Sequence, residues 1–146
     1  INNINSSDVW GGFRVGKRAK ITKLSILNDL NKVICSHDGY TKFKGRPIHS
    51  RQWSFSENIL DIEDTIDGPY IEASAFYHLH PEWKVQQKKD KFICYLGDKK
   101  VCINSLQNNI KISHGMYYPQ FNIGVSNHFL KVQIINGKSN LRISWN

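Results

Sequence analysis

Ile48-His49-Ser50-Arg51-Gln52-Trp53-Ser54-Phe55-Ser56-Glu57-Asn58-Ile59-Leu60-Asp61-Ile62 is the stretch whose reading decides the fold. Apolar and polar residues alternate through Trp53 and Phe55, the period of a half-buried β-strand. Glu57-Asn58 supplies a turn, and Ile59-Leu60-Asp61-Ile62 resumes the apolar pattern behind it. Two strands joined by a short turn are the smallest unit of an antiparallel sheet.

The same grammar extends in both directions. Phe13 and Val15 alternate with Arg14, and Ala19 and Ile21 with Arg18 and Lys20. Val33-Ile34-Cys35 runs into a turn at His37-Asp38-Gly39-Tyr40. Thr65-Ile66-Asp67-Gly68-Pro69 breaks the chain, and Ala73 to Leu79 reads as a strand ended by Pro81. Phe92–Leu96 and Val101–Asn104 form a predicted hairpin over Gly97–Lys100. Ile110–Ser113, Phe129–Ile135 and Leu141–Trp145 complete the set, the last two joined by Asn136-Gly137, a strong hairpin signal. Leu24 to Leu30 is the best helical candidate, but Ser25, Asn28 and Asp29 interrupt it. About a dozen short strands predict an all-β fold, an antiparallel two-sheet sandwich.

At 146 residues the chain has the length of one domain over 1–146. Its only methionine is Met116, so the expectation is a piece excised from something longer. No apolar run reaches membrane-spanning length. The formal net charge is +8 and is unevenly spread. Residues 1–51 carry +7, residues 52–98 carry −5, and residues 99–146 carry +6 with no acid at all. Such an excess attracts polyanions. Nucleic acid is not the expected partner, because no zinc-finger spacing, helix-turn-helix pattern or RNA-binding motif is present. Three cysteines, Cys35, Cys94 and Cys102, are an odd number and read as free thiols. A two- or four-residue loop between Cys94 and Cys102 puts them on opposite faces; a three-residue loop sets them opposite each other.

Three constellations carry chemistry. In Trp10 to Ala19, Arg14 and Arg18 project from one face if the segment is regular strand, and two guanidinium groups can grip a carboxylate or sulfate. The alternative is that each covers a sheet face or pairs with an acid. The second is His37-Asp38-Gly39-Tyr40, followed by Arg46, His49 and Arg51, with His49 and Arg51 on one strand face. His, Tyr and Arg are the side chains that proton abstraction beside a uronate carboxylate requires: a base, an acid, and a charge to neutralise the carboxylate. They also serve as ordinary half-buried sheet residues. The third is His78-Leu79-His80-Pro81, a two-histidine pair with Glu82 nearby, a weak zinc signal. The acids Asp61, Glu63, Asp64 and Asp67 read as a solvated strand edge and turn.

Ser7-Asp8-Val9-Trp10-Gly11-Gly12-Phe13-Arg14-Val15 with Arg18-Ala19, then His37-Asp38-Gly39-Tyr40, His49-Ser50-Arg51, Leu60-Asp61-Ile62-Glu63-Asp64, His78-Leu79-His80-Pro81 and Tyr117-Tyr118-Pro119-Gln120-Phe121 together form an ordered pattern. That pattern resembles the C-terminal domain of heparinase II/III-like proteins. The resemblance implies a β-sandwich that follows an N-terminal α/α toroid in the parent. It implies β-elimination of uronate-containing polysaccharide in a cleft between the two, with periplasmic or secreted location. The family's catalytic tyrosine, most of its catalytic histidines and its metal ligands belong to the missing part. No catalytic or metal residue is therefore placed here, and the fragment alone is expected to be inert. No cofactor is expected in these residues, and the resemblance leaves room for a divalent metal in the parent. Expected partners are an acidic polysaccharide and the chain's own toroid domain. Arg14, Arg18, His37, Tyr40, His49 and Arg51 are the expected substrate contacts. The competing reading is a non-catalytic carbohydrate-binding or structural module of a surface-polysaccharide biosynthesis protein, with Trp10, Trp53, Trp83 or Tyr117 stacking on sugar.

Overall fold

The computed structural model describes residues 1–10, 14–107 and 110–146. Eight strands form one antiparallel sheet in the order β3-β4-β5-β6-β13-β10-β9-β8. They are β3 (Ile21–Leu27), β4 (Lys32–His37), β5 (Ile48–Ser56), β6 (Ile59–Asp67), β8 (Lys84–Lys88), β9 (Lys91–Leu96), β10 (Lys99–Asn104) and β13 (Lys138–Trp145). A smaller sheet, in the order β11-β12-β7, is built from β7 (Ser74–His78), β11 (Ile110–Gln120) and β12 (Ile123–Gln133). β1 (Val9–Trp10) and β2 (Arg14–Val15) pair separately. The fold is an all-β antiparallel sandwich.

The core lies between the two sheets. Phe92, Cys94 and Ile103 from one end of the large sheet meet Ile62 and Leu141 from its centre, with Leu130, Val132 and Ala75 from the small sheet opposite. Alternation creates this layer: in β6, Ile62, Asp64 and Ile66 are buried while Glu63 and Thr65 are exposed. Each large apolar side chain so placed contributes about 1.5–3 kcal/mol relative to exposure.

The region expected to be most helical is extended. Ile21–Leu27 is strand, and only Asn28–Leu30 closes a 3-10 turn. Pairing with β4 satisfies the β3 backbone, which a weak helical pattern could not outweigh. The break placed at Thr65 comes later, because β6 continues to Asp67 and ends at Gly68-Pro69. The hairpin over Gly97–Lys100 is tighter than expected: Leu96 pairs with Lys99 around a two-residue turn. Cys94 then pairs with Val101, so Cys94 and Cys102 face opposite ways. All three cysteines are free, and burial raises the Cys94 thiol to about 11.

Asn136-Gly137 makes a turn but not the expected hairpin. Both residues have positive φ, 50° and 76°, and Ile135 bridges to Lys138. Yet β12 belongs to the small sheet and β13 to the large one. The turn carries the chain across the sandwich, so that Leu130 of β12 and Leu141 of β13 enter one core from opposite layers.

Candidate functional site

At one end of the large sheet, alternation places polar side chains where the core would continue. Register sets His37 of β4 opposite His49 of β5, Arg51 opposite Asp64 of β6, and Asp64 opposite Ser139 of β13. Tyr77 of β7 reaches in from the small sheet. The six belong to five strands and meet on the inner face.

Asp64 is the centre. It is fully buried and charge-compensated. Its Oδ1 accepts hydrogen bonds from His49 Nε2 at 2.7 Å and Arg51 Nε at 2.7 Å. Its Oδ2 accepts from Arg51 Nη2 at 3.1 Å, Tyr77 Oη at 3.1 Å and Ser139 Oγ at 3.4 Å. Burial alone would raise this carboxyl, but the hydrogen bonds from His49 and Arg51 and the charge on Arg51 outweigh it and hold Asp64 at about 2. Tyr77 moves the other way: burial and the neighbouring carboxylate keep its phenol protonated. The Arg51 guanidinium also lies 5.1 Å from the centre of the Tyr77 ring.

The chain of bonds continues outward and fixes tautomers. Gly39 N–H donates to His37 Nδ1 at 3.2 Å, so that nitrogen is the acceptor. His37 Nε2, carrying the proton, then donates to His49 Nδ1 at 2.9 Å, and His49 Nε2–H donates to Asp64. Burial and the neighbouring His49 lower the His37 pKa, which keeps the ring neutral near pH 7. Tyr40 stands beside it, ring centres 5.5 Å apart, and stacks on Phe43. Burial raises its phenol too, so it is a neutral donor. Tyr40 also borders a cavity of about 200 Å³ lined by Asn3, Asn5, Glu72, Ser74 and Phe76.

Four of the six expected contacts, His37, Tyr40, His49 and Arg51, are therefore neighbours. Arg14 and Arg18 are not among them. Arg14 sits in the two-residue strand β2, and a bend at Gly16-Lys17 precedes Arg18, so the regular strand that would align them is absent. Both are exposed, and neither makes an ion pair among the described residues. Arg18 precedes Ala19, whose Cβ would be 2.9 Å from a Cβ at Gly39, so this segment does run along the His37–Tyr40 turn. Gly11, Gly12 and Phe13 of the same motif lie outside the described residues. Arg46 has a positive φ of 49° in the turn before β5.

The acidic run needs correction. Asp64 is not at a solvated edge; it is the buried anion of the site. The signal was its place two residues from both Ile62 and Ile66, on the apolar face of β6. Asp61 does face outward, where Arg142 holds it with two bonds of 2.7 and 2.8 Å. Tyr77 and Ser139 carried no signal in the sequence, because they join through pairings more than ten residues distant.

The histidine pair of the third constellation is split. His78 lies tilted against Phe129, with 5.3 Å between ring centres. His80 lies 3.5 Å from Glu82 and against Tyr117. Among the described residues no three His, Cys, Asp or Glu side chains assemble as a metal-holding group. In the Asp64 cluster the donors are already taken: both nitrogens of His37 and His49 and both oxygens of Asp64 are hydrogen-bonded. A divalent metal does not fit that arrangement. Of the aromatic residues considered for sugar stacking, Trp53 and Trp83 pack against the core, whereas Trp10 is 65% and Tyr117 39% exposed.

With this geometry established, three comparisons bear on the chain. A family model described as "Heparinase II/III-like, C-terminal" matches residues 1–145. A comparison with curated proteins gives no match. Among solved structures, a heparinase III (the BT4657 gene product, with methylated lysines) is similar with a TM-score of 0.63 at 11% identity, over 89% of this chain. The chain spans 21% of that protein's length.

Proposed function

Because the chain belongs to the heparinase II/III-like family, as its C-terminal domain, we propose that it forms one wall of a groove for acidic, uronate-containing polysaccharide in a longer parent protein. The parent would pair it with an N-terminal α/α toroid that carries the catalytic tyrosine and histidines. Isolated, the chain would bind without cleaving. β-Elimination belongs to the assembled parent, as does any divalent metal.

The observation that carries this reading is the convergence of His37, Tyr40, His49 and Arg51 at one end of the inner face. There a buried carboxylate fixes the orientation of two histidines and an arginine. Pre-oriented groups of this kind bind a polar ligand without reorganising. Arg51 does not act as a free cation, since its fork is engaged by Asp64. Its role is to hold the wall, with Tyr40 offered to ligand, His37 held in place beside it, and the exposed Arg14 and Arg18 supplying mobile charge.

The test is turnover by the full-length parent, followed by absorbance of the unsaturated product. Tyr40→Phe and a joint Arg14→Ala, Arg18→Ala variant are expected to raise KM at least about fivefold, on the scale of one or two lost polar contacts. Unchanged kcat and KM in both would end the groove-wall reading. One observation favours the module reading instead: Trp10, Tyr118 and Phe121 are 65%, 69% and 93% exposed. Glycan binding that depends on those rings, with turnover absent from the parent, would select it.

A further inference from the structure

The outer face of the large sheet carries a charged feature that the groove reading does not use. Register aligns Lys84, Tyr95 and Lys100 in one row across β8, β9 and β10. A second row is Lys88, Lys91 and Asn104. Between them lies the row Gln86, Ile93 and Cys102. Residues two apart share a face, so all three rows stand together. Their alternates Phe92 and Cys94 are in the core, so this face points away from the small sheet.

Lys84, Lys88, Lys91 and Lys100 are all exposed. Among the described residues none of the four ammonium groups has an ion-pair or hydrogen-bond partner. The nearest acids in sequence, Glu82, Asp90 and Asp98, are confined to the turns, and Glu82 lies against His80. A shallow depression of about 820 Å³ borders the second row, lined by Lys88, Lys89, Asp90, Lys91, Cys102 and Asn104.

Lys88 and Lys91 are direct cross-strand partners. Like charges so placed oppose folding. Lysines on an edge strand have a known use, blocking unwanted strand addition, and β8 is the edge. That accounts for Lys84 and Lys88. It does not account for Lys91 and Lys100, which lie one and two strands inward, where the backbone is already paired.

We propose that the strip of Lys84, Lys88, Lys91 and Lys100 around Tyr95 binds a carboxylated or sulfated polysaccharide chain, as a holding surface distinct from the inner-face cluster. The ligand class rests on the groove reading above. The strip spans about 10 Å across three strands and about 13 Å along them. A polymer meets all four ammonium groups at once, whereas a small anion meets one or two and is screened by salt. Ammonium groups on flexible stems suit anionic substituents whose spacing varies along a chain. The half-buried Tyr95, flanked by Lys84 and Lys100, adds a flat surface for a sugar ring.

Calorimetric titration of the whole chain with a size-defined heparin oligosaccharide tests this. Replacing the four lysines together (Lys84→Gln, Lys88→Gln, Lys91→Gln, Lys100→Gln) is expected to weaken binding at least tenfold and to flatten its salt dependence. An equal charge loss elsewhere (Lys23→Gln, Lys44→Gln, Lys111→Gln, Lys138→Gln) is expected to weaken it less than threefold. Should the first variant fail to fold, Lys91→Glu and Lys100→Glu singly are read in the same titration. Equal losses in the two quadruple variants, or no binding by the native chain, would overturn the strip. Equal or tighter binding of a single-stranded oligonucleotide of matched charge would reassign its ligand. Turnover of the parent with Tyr40→Phe reports the groove separately, so either reading can fail while the other stands.

Discussion

Arg51 places Nε 2.7 Å from Asp64 Oδ1 and Nη2 3.1 Å from Oδ2, so its guanidinium fork is closed on a carboxylate of its own chain. Arg142 makes the same bidentate grip on Asp61 on the other face of the sheet. The two pairs differ in burial, and burial decides what each contributes.

Asp64→Asn should destabilise the fold by about 3–5 kcal/mol, since it leaves Arg51 charged and unpaired inside the site. Urea unfolding measures this. A joint Asp64→Leu, Arg51→Met change should recover only part of the loss, because the two charges leave together while His49, Tyr77 and Ser139 lose their acceptor. A single variant as stable as the native chain would show that Asp64 is not the anchor.

Arg142→Ala should cost less than about 1 kcal/mol by the same method, because the Arg142–Asp61 pair is solvent-accessible. A loss comparable to that of Asp64→Asn would contradict the argument from burial.

Stability should fall in acid within a defined window. The Asp64 carboxyl lies at about 2 in the fold against an ordinary 3.8. A depressed acid contributes fully above its unfolded value, and the contribution disappears as pH drops from about 4 through about 2, an effect of about 2 kcal/mol. Unfolding midpoints between pH 2 and 6 check it, with Asp64→Asn expected to flatten the slope.

His37 should titrate below its ordinary 6.5, because burial and His49 disfavour its cation. The unfolded chain therefore takes up this proton first as pH falls. The His37 contribution is complete above about 6.5 and declines from there toward its lower folded value. Nitrogen chemical shifts should identify the Nε2–H tautomer at neutral pH. An Nδ1–H tautomer would break the bond from Gly39 and refute the relay.

Gly137→Ala should destabilise by about 1–2 kcal/mol or more. Gly137 has φ of 76°, and an added Cβ would come 2.9 Å from the Ile66 carbonyl oxygen. Thermal unfolding measures it; a neutral result would mean the turn relaxes without cost.

Much of this molecule follows from alternation. The period-two pattern from Ile48 to Ile62 places His49, Arg51 and Trp53 on one face of β5, and the structure keeps them there. The same rule, applied to Ile62, Asp64 and Ile66, would have turned Asp64 inward; its charge and its acidic neighbours obscured it. β8, Lys84–Lys88, was not legible, because an edge strand rich in lysine and glutamine has no apolar face to announce it.

The sequence by itself determined the all-β class, most of the extended segments, the shared face of His49, Arg51 and Trp53, and which family the motifs resemble. These are local properties, set by backbone sterics and the two-residue repeat. Only the tertiary structure decided that Asn136-Gly137 crosses between layers, that Arg14 and Arg18 stand apart from the cluster, and that Asp64 gathers His49, Arg51, Tyr77 and Ser139. Those outcomes depend on which distant strands pair. Pairing is chosen by the burial of side chains such as Leu130 and Leu141 across the whole sandwich, and no short window of sequence holds that information.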